Sequence, residues 1–356
     1  MISADQVKHQ LEDLERFITE EYKPRHPPKK RDWRTYEQQL AHRIRTVMQD
    51  LGPLVEEACA FARTSRPGPR STLTLEQKLT LILLKILYKQ SNRRMSFSLV
   101  AFSLLSGIEV SYKSVERLYS DLEVQVALSN LHTLMMKRRG IRTADVTGDG
   151  TGFALSITQH YATTATKEKD AAKENPPPGP VGTGEGKGAP SGKKARRFVY
   201  SFRLLDLPSW MYVAYGTSLR SERAAYEQAL AWLQEQGIEV HTVRLDRYYS
   251  HASDAARFPG AAFYFLPRKN VRVHLQHEFL AGLRRFVEHP MAHLEGYYQR
   301  ENSEAGFSAD KRMFGWGIPQ RRGDRIETAD RCHSTWHNLF NLYGPDRPLA
   351  AGTGPG

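Results

Sequence analysis

Two short runs, "RFVYSFRLL" and "WMYVAYGTS", meet at Leu207-Pro208-Ser209. Their β-branched and aromatic residues, with a proline-containing turn between them, predict a β-hairpin. The residues after the hairpin narrow the fold further. "SERAAYEQALAWLQEQG" opens on Ser221 and closes on Gly237, the start and stop signals of a helix. "IEVHTVRLD" reads as a strand, "SHASDAARF" as a short helix and "AAFYFLP" as another strand. Ahead of the hairpin, "DVTGDGTGFALSI" is glycine-spaced and then strand-like. Helices are expected over about 276–289 and through the stretch after it. A hairpin followed by alternating helix and strand predicts a mixed α/β sheet flanked by helices, antiparallel strands first and parallel ones after.

Upstream, the periodicity is helical. Val7, Leu11, Leu14, Phe17 and Ile18 recur at helical spacing. "KPRHPPKKRDWR" (23–34) breaks that helix with three prolines and carries six Lys or Arg, as a solvated linker or an arm along phosphates would. "TLEQKLTLILLKILYKQ" has a capped helix start. "MSFSLVAFSLLSGIEVSYKSVERLYSDLEV" reads as a helix, a break at Gly107 and a second helix from about Tyr112. That is a helix-turn-helix outline over about 96–122, with Lys113 and Arg117 able to meet DNA. Residues 1–140 are therefore expected to form an all-α DNA-recognition region and 141–343 the α/β domain. Residues 162–196, rich in Pro, Gly and Lys, are expected to be a disordered insertion, and 344–356 a flexible tail.

Charge suggests the partner. The chain has 51 Lys and Arg against 39 Asp and Glu, a formal +12. Such a surplus favours a polyanion, because each cation that meets a phosphate releases condensed counterions. No apolar run of about 20 residues and no N-terminal signal sequence is found, so a soluble, cytoplasmic, nucleoid-associated protein is expected. The two cysteines, Cys59 and Cys332, form no CxxC pair, which excludes a zinc ribbon or finger by ligand count.

The chemistry concentrates in "YYQRENSEAGFSADK" (297–311). Tyr297, Arg300, Glu304 and Lys311 are separated by three, four and seven residues and so share one side of a helix. Two aspartates could face that stripe: Asp149 in "TGDGTGF" and Asp246, where "VRLD" gives way to "RYYS". Strand ends of α/β sheets are where catalytic groups project. Three converging carboxylates raise one another's pKa unless a cation compensates them. All-oxygen ligation favours two Mg²⁺ or Mn²⁺ ions, which serve phosphoryl transfer at roughly 4 Å separation. Arg300 and Lys311 would then hold the phosphate backbone, and Tyr297 would hydrogen-bond or stack nearby.

Here the sequence resembles a family. "YYQRENSEAGFSADK" fits the Y-x2-R-x3-E-x6-K signature of bacterial and archaeal insertion-sequence transposases of the DDE class, whose catalytic fold is RNase H-like. "DGTGF" is similar to their first-aspartate motif and "LDRYYS" to the segment around their second. The resemblance covers about 143–343. It implies Asp149, Asp246 and Glu304 as the metal-binding, catalytic triad and Tyr297, Arg300 and Lys311 as accompanying residues. It also implies double-stranded DNA, both element ends and target, as substrate, and a homodimer that pairs two ends. Many relatives carry a β-rich insertion between the second Asp and the Glu; the 58-residue separation here leaves no room for one.

Competing readings sit beside these. Asp145 rivals Asp149. Glu301 rivals Glu304 but points about 60° away around a helix. His333 and His337 read as a cap or a partly buried pair rather than metal ligands, and Trp316 reads as a core residue before a base-stacking one. A stand-alone metal-dependent nuclease and a non-catalytic DNA-binding protein of the same fold are the alternative functions.

Overall fold

The hairpin turn is held by one side chain. Asp206 Oδ2 accepts the Ser209 N–H at 2.9 Å and the Ser209 hydroxyl at 2.5 Å, and the Asp206 carbonyl accepts Trp210 N–H at 2.8 Å. Trp210 completes the turn at φ +60°, and Asp206 is itself buried. The turn joins β2 (Phe198–Asp206) to β3 (Tyr212–Ser218), an antiparallel pair. The computed structural model describes residues 2–27, 32–63, 73–106, 110–155 and 198–345, without the side chains of 62–63 and 101–106. The expected insertion at 162–196 and nearly all of the expected tail lie outside the described residues.

The sheet grows from that hairpin. β1 (Thr143–Leu155) runs antiparallel to β2 and parallel to β4 (Glu239–Leu245), which is parallel to β5 (Ala262–Tyr264). The strand order is β3-β2-β1-β4-β5, and the two-residue β6 (Gly317–Ile318) pairs with the far end of β1. Antiparallel strands come first and parallel ones after, as the pattern predicts.

Helices cover both faces. The helix Glu222–Gln236 is capped by Ser221 and stopped by Gly237 at φ +63°. It lies so close to β3 that a Cβ at Gly216 would overlap the Ala225 carbonyl. On the other face lie the helices Glu301–Phe314 and Gly323–Leu342. The latter is buried along most of its length and touches both the sheet and the N-terminal helices. Trp336, fully buried there, donates its Nε1–H to the Leu83 carbonyl at 2.8 Å. The apolar core is continuous from those helices into the sheet.

The N-terminal region is helical as expected. Its described α-helices of six residues or more are Ala4–Glu12, Trp33–Cys59, Leu75–Leu87, Asn92–Ser106, Tyr112–Arg117 and Leu122–Arg139, with shorter helical pieces between some of them. Capping boxes begin two of these, Ser3 with Gln6 and Thr74 with Gln77. The helix-turn-helix outline is visible in part. Its turn, 107–109, lies outside the described residues, and the second helix has only six residues before a 3₁₀ turn at Leu118–Ser120. None of the described helices is long and apolar enough to cross a membrane.

One expectation is corrected. Residues 297–311 do not form a single helix: the chain makes Pro290–Tyr298, breaks at Gln299 and Arg300, and resumes at Glu301. The cause is local and polar. Asn302 Nδ2 donates to the Gln299 carbonyl and Ser303 Oγ to the Arg300 carbonyl, both at 2.8 Å, which satisfies acceptors a continuous helix would use.

Candidate active site

Asp149 sits in the middle of β1. Its neighbour Gly148 pairs with Leu245, the last residue of β4, so Asp149 and Asp246 adjoin across two parallel strands. The glycines around Asp149 have a packing reason. A Cβ at Gly148 would stand 2.7 Å from Leu204 and Leu245 side-chain atoms, and one at Gly150 would overlap Glu222. Side chains alternate along a strand, so both glycines serve the face opposite Asp149. The "GDG" spacing thus lets the sheet pack tightly behind an aspartate that projects forward.

The third carboxylate arrives from the helix Glu301–Phe314, and a guanidinium stands among the three. Arg300 Nη1 lies 3.5 Å from Asp149 Oδ2, and Nη2 lies 3.0 Å from Glu304 Oε1. Burial pushes the Asp149 carboxyl up to about 6; the Gly150 N–H and Arg300 oppose this, while the charges of Asp246 and Glu304 add to it. Burial works against the charge on Arg300, but Tyr297, Asp149, Asp246 and Glu304 outweigh it and raise its pKa. Three carboxylates therefore share one cation. Glu304 is more than half exposed, whereas Arg300 and Asp149 are mostly buried.

The remaining stripe residues divide. Tyr297 is buried, with its ring 5.9 Å from the Arg300 guanidinium, and burial lifts its hydroxyl to about 12. It reaches the site through Arg300. Lys311 lies further along β1, where its Nζ donates to Thr151 Oγ1 at 2.6 Å and sits 5.3 Å from the rings of Phe153 and Trp316. Trp316 corrects the expectation of a core position: it is 66% exposed. Gly315, at φ +103°, turns the chain outward, and Phe314 fills the core in its place.

The rivals fall elsewhere. The Asp145 carboxylate accepts a hydrogen bond from Thr242, four strand residues, or about 13 Å, from Asp149. Glu301 is exposed and lies towards Tyr22 and Tyr298, where its charge adds to the raised pKa of both hydroxyls. His333 and His337 are both buried; His337 contacts Asp310 Oδ1 at 2.7 Å through Nδ1 and the Trp210 carbonyl through Nε2. Lys113 and Arg117 are exposed on the helix Tyr112–Arg117, and Lys113 pairs with Glu116 at 3.2 Å.

One group escaped the sequence reading. Arg203 pairs in register with Asp149, is fully buried, and bonds Asp310 at 2.5 Å and Asp330 at 2.8 Å. Tyr212 donates to Asp310 and Thr217 to Asp330. This network ties the helix bearing Glu304 to β2, β3 and the last long helix. Its sequence signal is an arginine in the otherwise apolar run "FRLL".

Among the described residues no three His, Cys, Asp or Glu side chains form a ready-made metal cage. The donor chemistry nevertheless suits a hard divalent cation: Asp149 and Asp246 adjoin on rigid strands, and Glu304 is an exposed carboxylate tethered by Arg300. Burial, and to a lesser degree the charges of Asp246 and Glu304, disfavours the charged form of Asp149, and a bound cation would favour it.

No protein-family profile and no solved structure matches the chain. One curated protein is 36% identical over 331 residues, 93% of this chain and 92% of the relative: a probable transposase for insertion sequence element ISA1214 from Archaeoglobus fulgidus. Identity at that level over nearly the full length of both proteins means that this chain belongs to the insertion-sequence transposases.

Proposed function

We propose that the protein is a DDE-class transposase with an RNase H-like catalytic fold, which cuts DNA at the ends of its element and joins them to target DNA. One observation carries this: carboxylates from the middle of β1, the end of β4 and a helix N-terminal turn gather around Arg300. The strand order β3-β2-β1-β4-β5, two antiparallel steps and then two parallel ones, supports the fold.

Asp149, Asp246 and Glu304 would hold two divalent cations, Mg²⁺ or Mn²⁺. Bound there, such ions activate a water or a 3′-hydroxyl and stabilise the leaving oxygen. The chain's own groups do the rest. Arg300 meets the non-bridging oxygens of the phosphodiester, a shift that frees Asp149 and Glu304 for the ions. Tyr297 keeps the guanidinium oriented from below. Lys311, fixed by Thr151, meets a neighbouring phosphate one pleat further along β1. The exposed Lys113 and Arg117 contact the double-stranded DNA of the element's ends, and a homodimer pairs two such ends. Cytoplasmic, nucleoid-associated action follows from that substrate.

The test uses DNA carrying the gene's flanking ends, a target plasmid and Mg²⁺ or Mn²⁺. Metal-dependent cutting followed by joined products supports a transposase of this class. Cutting without joining makes the protein a nuclease, and binding without either makes it a DNA-binding module.

A further inference from the structure

A second cationic surface adjoins Asp246, and neither the signature residues nor the helical region includes it. A cleft of about 530 Å³ opens between the loop after β4 and the loop after β5. Arg268, Lys269, Arg272, His251 and His274 line it with Ser250 and Asn270, over the buried Val271 and Phe279. None of its lining residues is a carboxylate. The stretch "LPRKNVRVHLQ" (266–276) indeed contains three Lys or Arg and no acid.

The cleft is built. Arg247, the residue after Asp246, donates to the Pro267 carbonyl at 3.1 and 2.8 Å. Arg268 returns the clasp, donating to the carbonyls of Arg247 and Tyr248. These reciprocal bonds fix the cationic wall to the strand end that carries Asp246. Lys269 and Arg272 are exposed on the same loop.

The opposite flank of the site already has an exit. From Asp149, β1 runs six more residues, about 20 Å, past Lys311 and Trp316 to the β6 pairing. Beyond β6, Pro319, Gln320 and Arg321 line another cleft, of about 410 Å³, with Arg93, Tyr112 and Lys113 of the helical region. DNA gripped by that region would approach the carboxylates along β1. A duplex cannot stop at the bond under attack, so the strand must continue on the β5 side.

We propose that the cleft around Lys269 and Arg272 binds the phosphate backbone of the DNA on the far side of the scissile phosphodiester from the recognised end. The assignment rests on the catalytic reading of Asp149 and Asp246, yet its test needs no cutting. Electrostatics set the expectation: each phosphate contact to duplex DNA contributes about 0.9 to the slope of log affinity against log salt.

The experiment measures binding of wild type and Lys269→Ala/Arg272→Ala to end DNA, either flush at the cut position or extended by ten base pairs of flank, over a salt series. Both side chains are exposed, so thermal melting should match wild type. Arg257→Ala/Arg284→Ala, which removes two cations already paired with Glu227 and Glu288, is the control. Wild type and control should bind extended DNA at least tenfold more tightly than flush DNA. The double variant should lose that preference, and its salt slope on extended DNA should become shallower by about 1 to 2. If wild type shows no preference, or the variant keeps it, the cleft does not hold the flank. If the variant loses affinity equally for flush DNA, the cleft grips the end itself. Loss of the preference in a protein that never cuts would uphold the cleft and sink the catalytic reading instead.

Discussion

Arg300 shows how a single side chain can answer for an unfilled electrostatic need. It faces Tyr297, Asp149, Asp246 and Glu304 at once, and all four favour its charge. Its contact with the exposed Glu304 contributes little to stability, because solvent screens such pairs. Its value lies in charge placement. Arg300→Gln should lower the urea midpoint only modestly, through the half-hidden contact with Asp149, while single-turnover end cleavage falls about 10²- to 10³-fold, as when a transition-state donor is removed. Cleavage within threefold of wild type would contradict this role. The spacing of Tyr297, Arg300 and Glu304, and the strand-end position of Asp246, were legible because each is a local pattern. The Arg203–Asp310–Asp330 network was not, since its partners are 107 and 127 residues apart. Trp316 was misread for a related reason: the turn at Gly315, not the apolarity of "MFGW", decides which aromatic enters the core.

At the scale of elements, the site depends on how closely helices approach the sheet. Arg203 clamps the helix bearing Glu304 through Asp310, and two buried aspartates depend on its charge. Arg203→Met should destabilise the fold by about 3–5 kcal/mol, because Asp330 would stay buried without a cation and Asp310 would keep only His337 to pair with. Urea titration reads this directly, and a loss below 1 kcal/mol would mean the pocket is wetter than the structure shows. Gly216→Ala tests the other face. Its Cβ meets backbone of the helix Glu222–Gln236, which cannot rotate away as a side chain could. A loss of about 1–3 kcal/mol is expected by the same measurement, and a neutral outcome would show that this helix is free to shift. The hairpin, the Ser221-to-Gly237 helix and the order of strands were all readable from period and punctuation. The helix Trp33–Cys59 was harder to read: it runs through Pro53, ordinarily a stop signal, and its first half is mostly exposed and polar. The break at Gln299 and Arg300 was hidden because Asn302 and Ser303 compete for carbonyls without disturbing the helical spacing.

The whole molecule is tied together by buried polar groups as well as by its continuous core. His132 is fully buried between the sheet and the helical region, 3.3 Å from the Val213 carbonyl through Nε2 and 3.5 Å from Asn338 Nδ2 through Nδ1. That environment suits a neutral ring, which donates from Nε2 and accepts at Nδ1. Burial lowers His132 from 6.5 to about 4, and His293 and His333 likewise. The unfolded chain therefore binds more protons than the folded one between those values, so stability is present above pH 6.5 and is lost as pH falls towards 4. Melting temperature should drop across that window, and His132→Gln should flatten the drop; an unchanged slope would show that His132 does not contribute to it. The catalytic reading of the whole molecule turns on which acid of one helix completes the site. Wild type, Glu304→Gln and Glu301→Gln, run side by side on labelled end DNA with Mg²⁺, decide this. Wild type and Glu301→Gln should cleave, and Glu304→Gln should lose at least 10³-fold in rate, with DNA binding retained by all three. Cleavage that survives in Glu304→Gln would contradict the assignment of the triad.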